Sequence, residues 1–387
     1  MKILFISHDA NRAGAQLFLL NMMKYLQQKG FSMHLLLLNG GVLEKQFQEI
    51  CTVSLFPNQK NRSHSIYKKT ISKLVGNKST FEENKDFIFN DLLDEKFDLI
   101  YANTIATAWI LPELTSVLNC PIYVHIHELE FSIQLYSKKE DRDFLFKNST
   151  KIIACSKAVA ENIELNHQVS NNKIEIIHSF VDNENVLNRT QRTDIQSIKQ
   201  KYNLPEKAFL IGGCGNAEWR KGIDIFIQVA NNIKNLSTEN FHFVWIGLKK
   251  EGEYFEQICY DLEKIGIKNI VTFIEPTPEA IELITCLDVF TVVSREDPFP
   301  LVMLEAALAQ KTMIGFENTG GCSEFMEDDA GILIPYLNTN LMASSIIKLF
   351  NSPGFSKQLG QKAKEKVLKK YSFDNSMNKI LEVLASK

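Results

Sequence analysis

Val289-Phe-Thr-Val-Val-Ser294-Arg-Glu-Asp297-Pro-Phe-Pro300-Leu-Val-Met-Leu-Glu305-Ala306 contains a strand, a turn and a helix start in one stretch. Residues 289–294 are almost continuously apolar, the pattern of a strand covered on both faces. Two prolines, Pro298 and Pro300, then break the run. Pro300 falls just before or at the first helical turn, where its missing N–H costs nothing. A helix opening near Leu301 leaves the N–H groups of Leu301 and Val302 facing whatever anion lies at the sheet edge. Asp297 and Glu305 stand eight positions apart, the first in the turn and the second in the helix. Carboxylates accept hydrogen bonds only, which suits them to paired hydroxyl groups. A helix-capping Asp and a solvated helical Glu would also account for these two acids.

Working outward, the same strand–turn–helix unit recurs along the 387 residues. β-rich runs at 2–7, 34–38, 99–103, 122–127, 151–156 and 174–180 alternate with helical patterns such as 15–29 and 157–165. A polar stretch follows from Asp182 to about Lys207. The alternation then restarts with strands at 209–213, 243–246, 271–274, 289–294, 313–316 and 332–335. Such alternation predicts an α/β protein with doubly wound parallel sheets. The expected division is an N-terminal Rossmann-like domain over 1–182, a linker over 183–205 and a second Rossmann-like domain over 206–370. A last helix is expected over 371–387. In open parallel sheets ligands bind at strand carboxyl ends, so two such domains are expected to face one another across a cleft.

Other junctions carry candidate chemistry. Gly212-Gly-Cys-Gly-Asn-Ala-Glu-Trp-Arg220-Lys221-Gly222 lies between a strand and a helix, with glycines that admit a ligand to the backbone. Arg220 and Lys221 would neutralise a diphosphate there, although a basic pair is also a common solvated face. Ala13-Gly14-Ala-Gln16 follows the first strand and opens a helix, as a functional turn or a plain β–α turn would. His125 and His127 end a strand and point to one face by its period of two. A zinc site is conceivable but would need a third ligand that is not evident, and buried, hydrogen-bonded histidines are the plainer reading. Thr319-Gly-Gly-Cys-Ser-Glu-Phe325 reads as fold-supporting, with Glu324 capping the following helix. Asn103-Thr104 and Ser156-Lys157 also sit at strand ends, without an assigned role.

Asp297 with Glu305, taken together with Lys221-Gly222, resembles the acidic–seven–Glu and Lys-Gly motifs of the retaining GT-B-fold glycosyltransferases. That family contains bacterial mannosyl- and glucosyltransferases and sucrose synthases. The likeness extends over nearly the whole chain and implies that the last helix, 371–387, returns to the N-terminal domain. It implies that Glu305 binds the donor ribose, that Asp297 lies at the transferred sugar, and that the backbone of Phe299, Pro300, Leu301 and Val302 meets sugar and diphosphate. It places Arg220 and Lys221 on the diphosphate, Gly14 on the opposite wall beside it, and His127 at the sugar hydroxyls. Asp stands at 297 where the family usually has Glu, and Gly215 stands where it often has an Arg. The implied activity is transfer of a hexose from a nucleoside diphosphate sugar to a hydroxyl of a glycan or lipid-linked acceptor, with retention and without metal or other cofactor. A GT-B epimerase, a glycan phosphorylase and a non-catalytic sugar-nucleotide-binding partner of a glycan-assembly complex are the rivals.

Composition narrows the setting. Hydrophobic residues make up 45% and charged residues 23%, and the formal net charge is -3, which leaves no polycationic footprint for nucleic acid. Seven cysteines without a CxxC pair read as reduced thiols of a cytoplasmic protein. The first apolar run is too short for a signal-peptide core. One region stands apart: residues 58–78 carry Lys60, Arg62, Lys68, Lys69, Lys73 and Lys78 without an acid. An exposed basic loop is the plainer reading, and peripheral contact with anionic membrane at its inner face is the sharper one.

Overall fold

The computed structural model describes residues 1–57 and 80–386. The basic stretch 58–78, and with it the expected contact with anionic membrane, lies outside the described residues. The chain divides into two compact units, Met1–Cys155 with Val159–Ile177, and Ser156–Ala158 with His178–Lys387.

The first unit is built on seven strands: β1 (Lys2–Ser7), β2 (Ser32–Leu37), β3 (Thr52–Leu55), β4 (Leu99–Asn103), β5 (Ile122–Ile126), β6 (Lys151–Ala154) and β7 (Ile174–Ile176). Their order is β3-β2-β1-β4-β5-β6-β7, and every pairing is parallel. Strands β4 and β5 are buried at every position, which accounts for their unbroken apolar sequences. The register sets Ser7 opposite Asn103 and Asn103 opposite His125. The carboxyl ends of these three central strands are thereby level.

The second unit repeats the plan with six parallel strands: β8 (Phe209–Cys214), β9 (Phe241–Ile246), β10 (Val271–Ile274), β11 (Val289–Val292), β12 (Thr312–Phe316) and β13 (Ile332–Ile334). The order is β10-β9-β8-β11-β12-β13. Phe226 of the helix Ile223–Leu236 packs edge-on against Trp245, ring centroids 5.3 Å apart. Phe243, Ile314 and Phe316 extend that core across the sheet. In both units the winding direction reverses beside the first strand, between β1 and β4 and between β8 and β11. Those are the switch points at which open α/β sheets hold ligands.

Several elements depart from expectation. The short strand β3 was not anticipated; its half-exposed Thr52-Val-Ser-Leu55 carries little hydrophobic signal. The stretch 183–205 holds two helices, Asn183–Arg192 and Ile195–Lys201. Each starts at an aspartate: Asp182 accepts the Asn185 N–H at 2.9 Å, and Asp194 accepts those of Gln196 and Ser197. The final helix, Phe373–Ala385, is tied within the second unit. Ser376 donates to the His178 carbonyl at 2.9 Å, and Phe373 packs on Phe180. Among the described residues no helix is long and apolar enough to cross a membrane.

Candidate functional site

At the switch point of the second unit, the turns leaving β8 and β11 are pressed together. Gly222 makes this approach possible. Its φ is +73°, and a Cβ there would lie 2.2 Å from the Val293 carbonyl oxygen, so only glycine fits. Gly222 also caps the helix Ile223–Leu236. The turn before it, Trp219–Lys221, is a short 3-10 helix that carries the basic pair to the end of β11.

Lys221 and Asp297 meet directly, Nζ to Oδ2 at 2.5 Å, with side chains only 14% and 7% exposed. Ser294 Oγ donates to the same carboxylate oxygen at 3.3 Å. The Asp297 backbone is fixed separately, its N–H donating to the Thr319 carbonyl at 2.7 Å and its carbonyl accepting from Gly321. Gly321 is a second obligatory glycine, because a Cβ would stand 2.4 Å from the Phe299 ring. Pro300 forms the N-cap of the helix Leu301–Leu308, as its position in the sequence predicts. Its first N–H groups, at Leu301 and Val302, are left for an acceptor. Phe299 turns its ring away, onto His178 and Tyr371 at 5.2 and 5.3 Å, which leaves only its backbone at the site.

Glu305 is half-buried on that helix. Its charge reaches both Cys214, at the end of β8, and Arg189, which Glu282 holds through Nε at 2.8 Å. Burial pushes the Cys214 thiol up to about 12; the Glu305 carboxylate raises it and the Lys221 ammonium opposes. Lys221 and Asp297 are joined directly, and the charges of Lys221 and Glu305 act in opposite directions on the Cys214 thiol. Cys214, Lys221, Asp297, Pro300 and Val302 line a common cavity. Arg220 is at the same turn but spends its Nε on Glu218 at 2.9 Å. Glu324 does not cap the helix that follows it. It lies within the helix Gly321–Met326, and its carboxylate accepts from the Lys157 N–H at 2.8 Å and contacts His178 Nε2 at 2.5 Å.

The switch point of the first unit gathers a different chemistry. Gly14 is the first residue of the helix Gly14–Gln28, behind the N-cap Ala13. His127 stacks on His125 with ring centroids 4.0 Å apart. Asn103 donates its amide N–H to the Ala15 carbonyl, so its Oδ1 faces His127 Nε2, at 3.1 Å. That contact requires the proton on Nε2 and leaves Nδ1 as an acceptor. Burial, with a smaller push from His8, depresses the His127 pKa to about 3, so the ring is neutral. Glu128 accepts the His127 N–H at 2.9 Å and the Ile105 N–H at 3.3 Å, which holds the strand end in place.

His8, which sequence reasoning did not single out, and Thr104, which it left without a role, complete this cluster. His8 lies 2.9 Å from Thr104 Oγ1 through Nδ1 and 3.0 Å from Gln16 Nε2 through Nε2. Thr104 has φ 81° and ψ 155°, a conformation strained for a β-branched residue. Its N–H donates to the His125 carbonyl at 2.8 Å, so the strain is held by neighbours on two strands. The clue available in sequence was the position of His8 and Thr104 just past apolar runs. Among the described residues no group of three or more His, Cys, Asp or Glu side chains is placed to hold a metal ion.

The depressed His127 pKa has a sign that can be measured. The unfolded imidazole takes a proton near pH 6.5, whereas the folded one resists until about 3. The unfolded chain therefore binds more protons below pH 6.5, and stability falls as pH drops through that window. Urea midpoints are expected to be lower at pH 5 than at pH 7, with a smaller difference in His127→Phe.

Residues 194–366 match the family described as glycosyl transferases group 1, and residues 12–185 match glycosyltransferase family 4. An uncharacterized glycosyltransferase of Methanocaldococcus jannaschii is 24% identical over 300 residues, covering 75% of each chain. The poly(ribitol-phosphate) alpha-N-acetylglucosaminyltransferase of Staphylococcus aureus is 27% identical over 222 residues, 55% of this chain and 42% of that protein. Among solved structures, Anabaena HepE in complex with UDP-glucose superposes with a TM-score of 0.81 at 19% identity, over 100% of both chains.

Proposed function

The chain belongs to the group 1 glycosyltransferases of the GT-B type, and from that premise we propose that it transfers a hexose from a nucleoside diphosphate sugar to a hydroxyl of a glycan or lipid-linked acceptor, with retention of configuration. The observation that carries this reading is the meeting of Lys221 with Asp297 at the β8–β11 switch point, 2.5 Å apart and in the wall of a cavity that Pro300 and Val302 also line.

In this reading Lys221, Arg220 and the N–H groups of Leu301 and Val302 hold the diphosphate and stabilise the charge that develops on it. Glu305 accepts from the ribose hydroxyls and Asp297 from those of the sugar. The backbone at Phe299 and Pro300 shapes the sugar pocket. In the first unit, Gly14 and His127 are the residues that the family resemblance assigns to the diphosphate and to a sugar hydroxyl, His127 accepting a hydrogen bond from that hydroxyl through Nδ1. So weak a base orients rather than deprotonates. The bond between the anomeric carbon and the phosphate oxygen breaks as the bond to the acceptor oxygen forms on the same face. The acceptor proton passes to the departing phosphate oxygen. UDP is the nucleotide favoured by the complexes of Anabaena HepE. Relatives that modify poly(ribitol phosphate) and lipopolysaccharide favour a role in bacterial surface polysaccharide or glycolipid synthesis at the cytoplasmic side.

A thermal-shift panel of UDP-, GDP-, ADP- and dTDP-sugars tests the donor assignment. At a ligand concentration of about 100 times Kd, stabilisation is roughly 2.7 kcal/mol. One nucleotide series is expected to raise Tm, and Glu305→Ala to lose most of that rise. Equal shifts in the variant and the parent chain would remove Glu305 from the site.

A further inference from the structure

Lys221 is held from both sides by the segment that leaves β11. On its C-terminal side, Gly222 abuts the Val293 carbonyl. On its N-terminal side, the Arg220 carbonyl accepts the backbone N–H of Arg295 at 2.7 Å. The Arg295 side chain then reaches back over the same turn. Its Nη1 donates to the Trp219 carbonyl at 2.7 Å, and its two terminal nitrogens engage both oxygens of Asp224 at 2.9 and 2.6 Å. The guanidinium lies over the Trp219 ring, 5.1 Å from its centroid. Asp224 is in the first turn of the helix Ile223–Leu236, immediately beyond Gly222. The Arg295 side chain is 14% exposed.

A surface ion pair contributes little by itself, but this one has a planar fork filled on both prongs, an aromatic face and a carbonyl. Lysine could not reproduce that set with one ammonium group. The segment it spans holds the cation, and two residues beyond Arg295 stands the anion that meets it.

We propose that Arg295 is a positioning residue: with Asp224 it clamps the Trp219–Lys221 turn onto the β11 exit and so fixes where Lys221 stands for the donor diphosphate. This rests on the assignment of Lys221 to that diphosphate. Arg295 acts through Lys221 and Arg220 and takes no part in the chemistry.

The test measures UDP affinity by calorimetry, and donor and acceptor KM separately, in Arg295→Ala, Arg295→Lys and Asp224→Asn, with Lys221→Ala as reference. Misplacing a binding group by about an ångström costs up to ~100-fold. UDP affinity is expected to fall on the order of 10-fold to 100-fold in Arg295→Ala, less in Arg295→Lys, and in the same direction in Asp224→Asn. Acceptor KM stays unchanged. Asp224→Asn keeps the side-chain volume and carries the test if Arg295→Ala fails to fold. A lowered Tm with unchanged UDP affinity in the folded variants would overturn the clamp, because Arg295 would then serve folding alone. If Lys221→Ala also leaves UDP affinity unchanged, the donor-site reading itself falls, and the clamp with it.

Discussion

Lys221→Ala is expected to lose turnover on the order of 10²-fold to 10³-fold, the usual cost of deleting one preorganised donor to developing negative charge. It is also expected to lower stability, and the two effects have different origins. Lys221 and Asp297 are both largely removed from solvent. Deleting one partner of such a pair leaves a buried charge uncompensated, at a cost of about 3–5 kcal/mol. The Ser294 hydroxyl contributes only a long hydrogen bond to the same carboxylate and cannot replace an ammonium. The double variant Lys221→Met with Asp297→Asn removes both charges while keeping volume, so it is expected to recover much of the stability and none of the activity. Denaturant midpoints and turnover on one set of proteins separate these outcomes. A Lys221→Ala enzyme with near-parental turnover would place the diphosphate elsewhere.

The motif residues were legible because each has a backbone reason as well as a chemical one. Pro300 marks a helix start by its missing N–H, and Lys221-Gly222 marks a turn by a left-handed residue. Their side chains follow from where the chain must bend. The alternation of buried strands and helices gave both sheets for a similar reason: β1, β4 and β5 are buried on both faces and so spell themselves in apolar letters. β3 was missed because it is a half-exposed edge strand. The helices within 183–205 were missed because their charged surfaces resemble a linker; the signal was in the caps, Asp182 and Asp194.

Contacts across strands were not legible. Arg295 looks like one more charged residue of a turn, and nothing local pairs it with Asp224, 71 positions earlier. His8 and Thr104 meet only because β1 and β4 are neighbours in the sheet, 96 positions apart in the chain. The strain at Thr104 is likewise set by tertiary neighbours, since threonine has no intrinsic preference for positive φ. Arg220 shows the converse. Its letter promised a free cation for the diphosphate, yet its Nε is engaged by Glu218 two residues before it. On the proposed reading a donor would have to draw on the rest of the guanidinium or displace that carboxylate.

Asp297→Asn carries a prediction whose sign separates binding from catalysis. In the structure the Lys221 ammonium is paired with Asp297, and a diphosphate bound there as proposed would have to share or displace that partner. A unit charge about 4 Å away contributes on the order of 4 kcal/mol at an effective dielectric constant of 20. Most of that is offset when the lysine reorganises, and asparagine also retains a neutral acceptor for Nζ. The net result expected is UDP binding tighter by several-fold to tenfold, since the anion no longer competes with an anion. Turnover is expected to move the opposite way, falling by on the order of 10²-fold, because a carboxylate at the transferred sugar stabilises developing positive charge on the ring and an amide does not. UDP itself lacks the transferred sugar, so calorimetry with UDP reads the first effect alone, and single-turnover measurement with the sugar nucleotide reads the second. Weaker UDP binding in Asp297→Asn would mean that the carboxylate holds Lys221 in place for the diphosphate rather than competing for it, and the ion pair would then be scaffolding for the donor site.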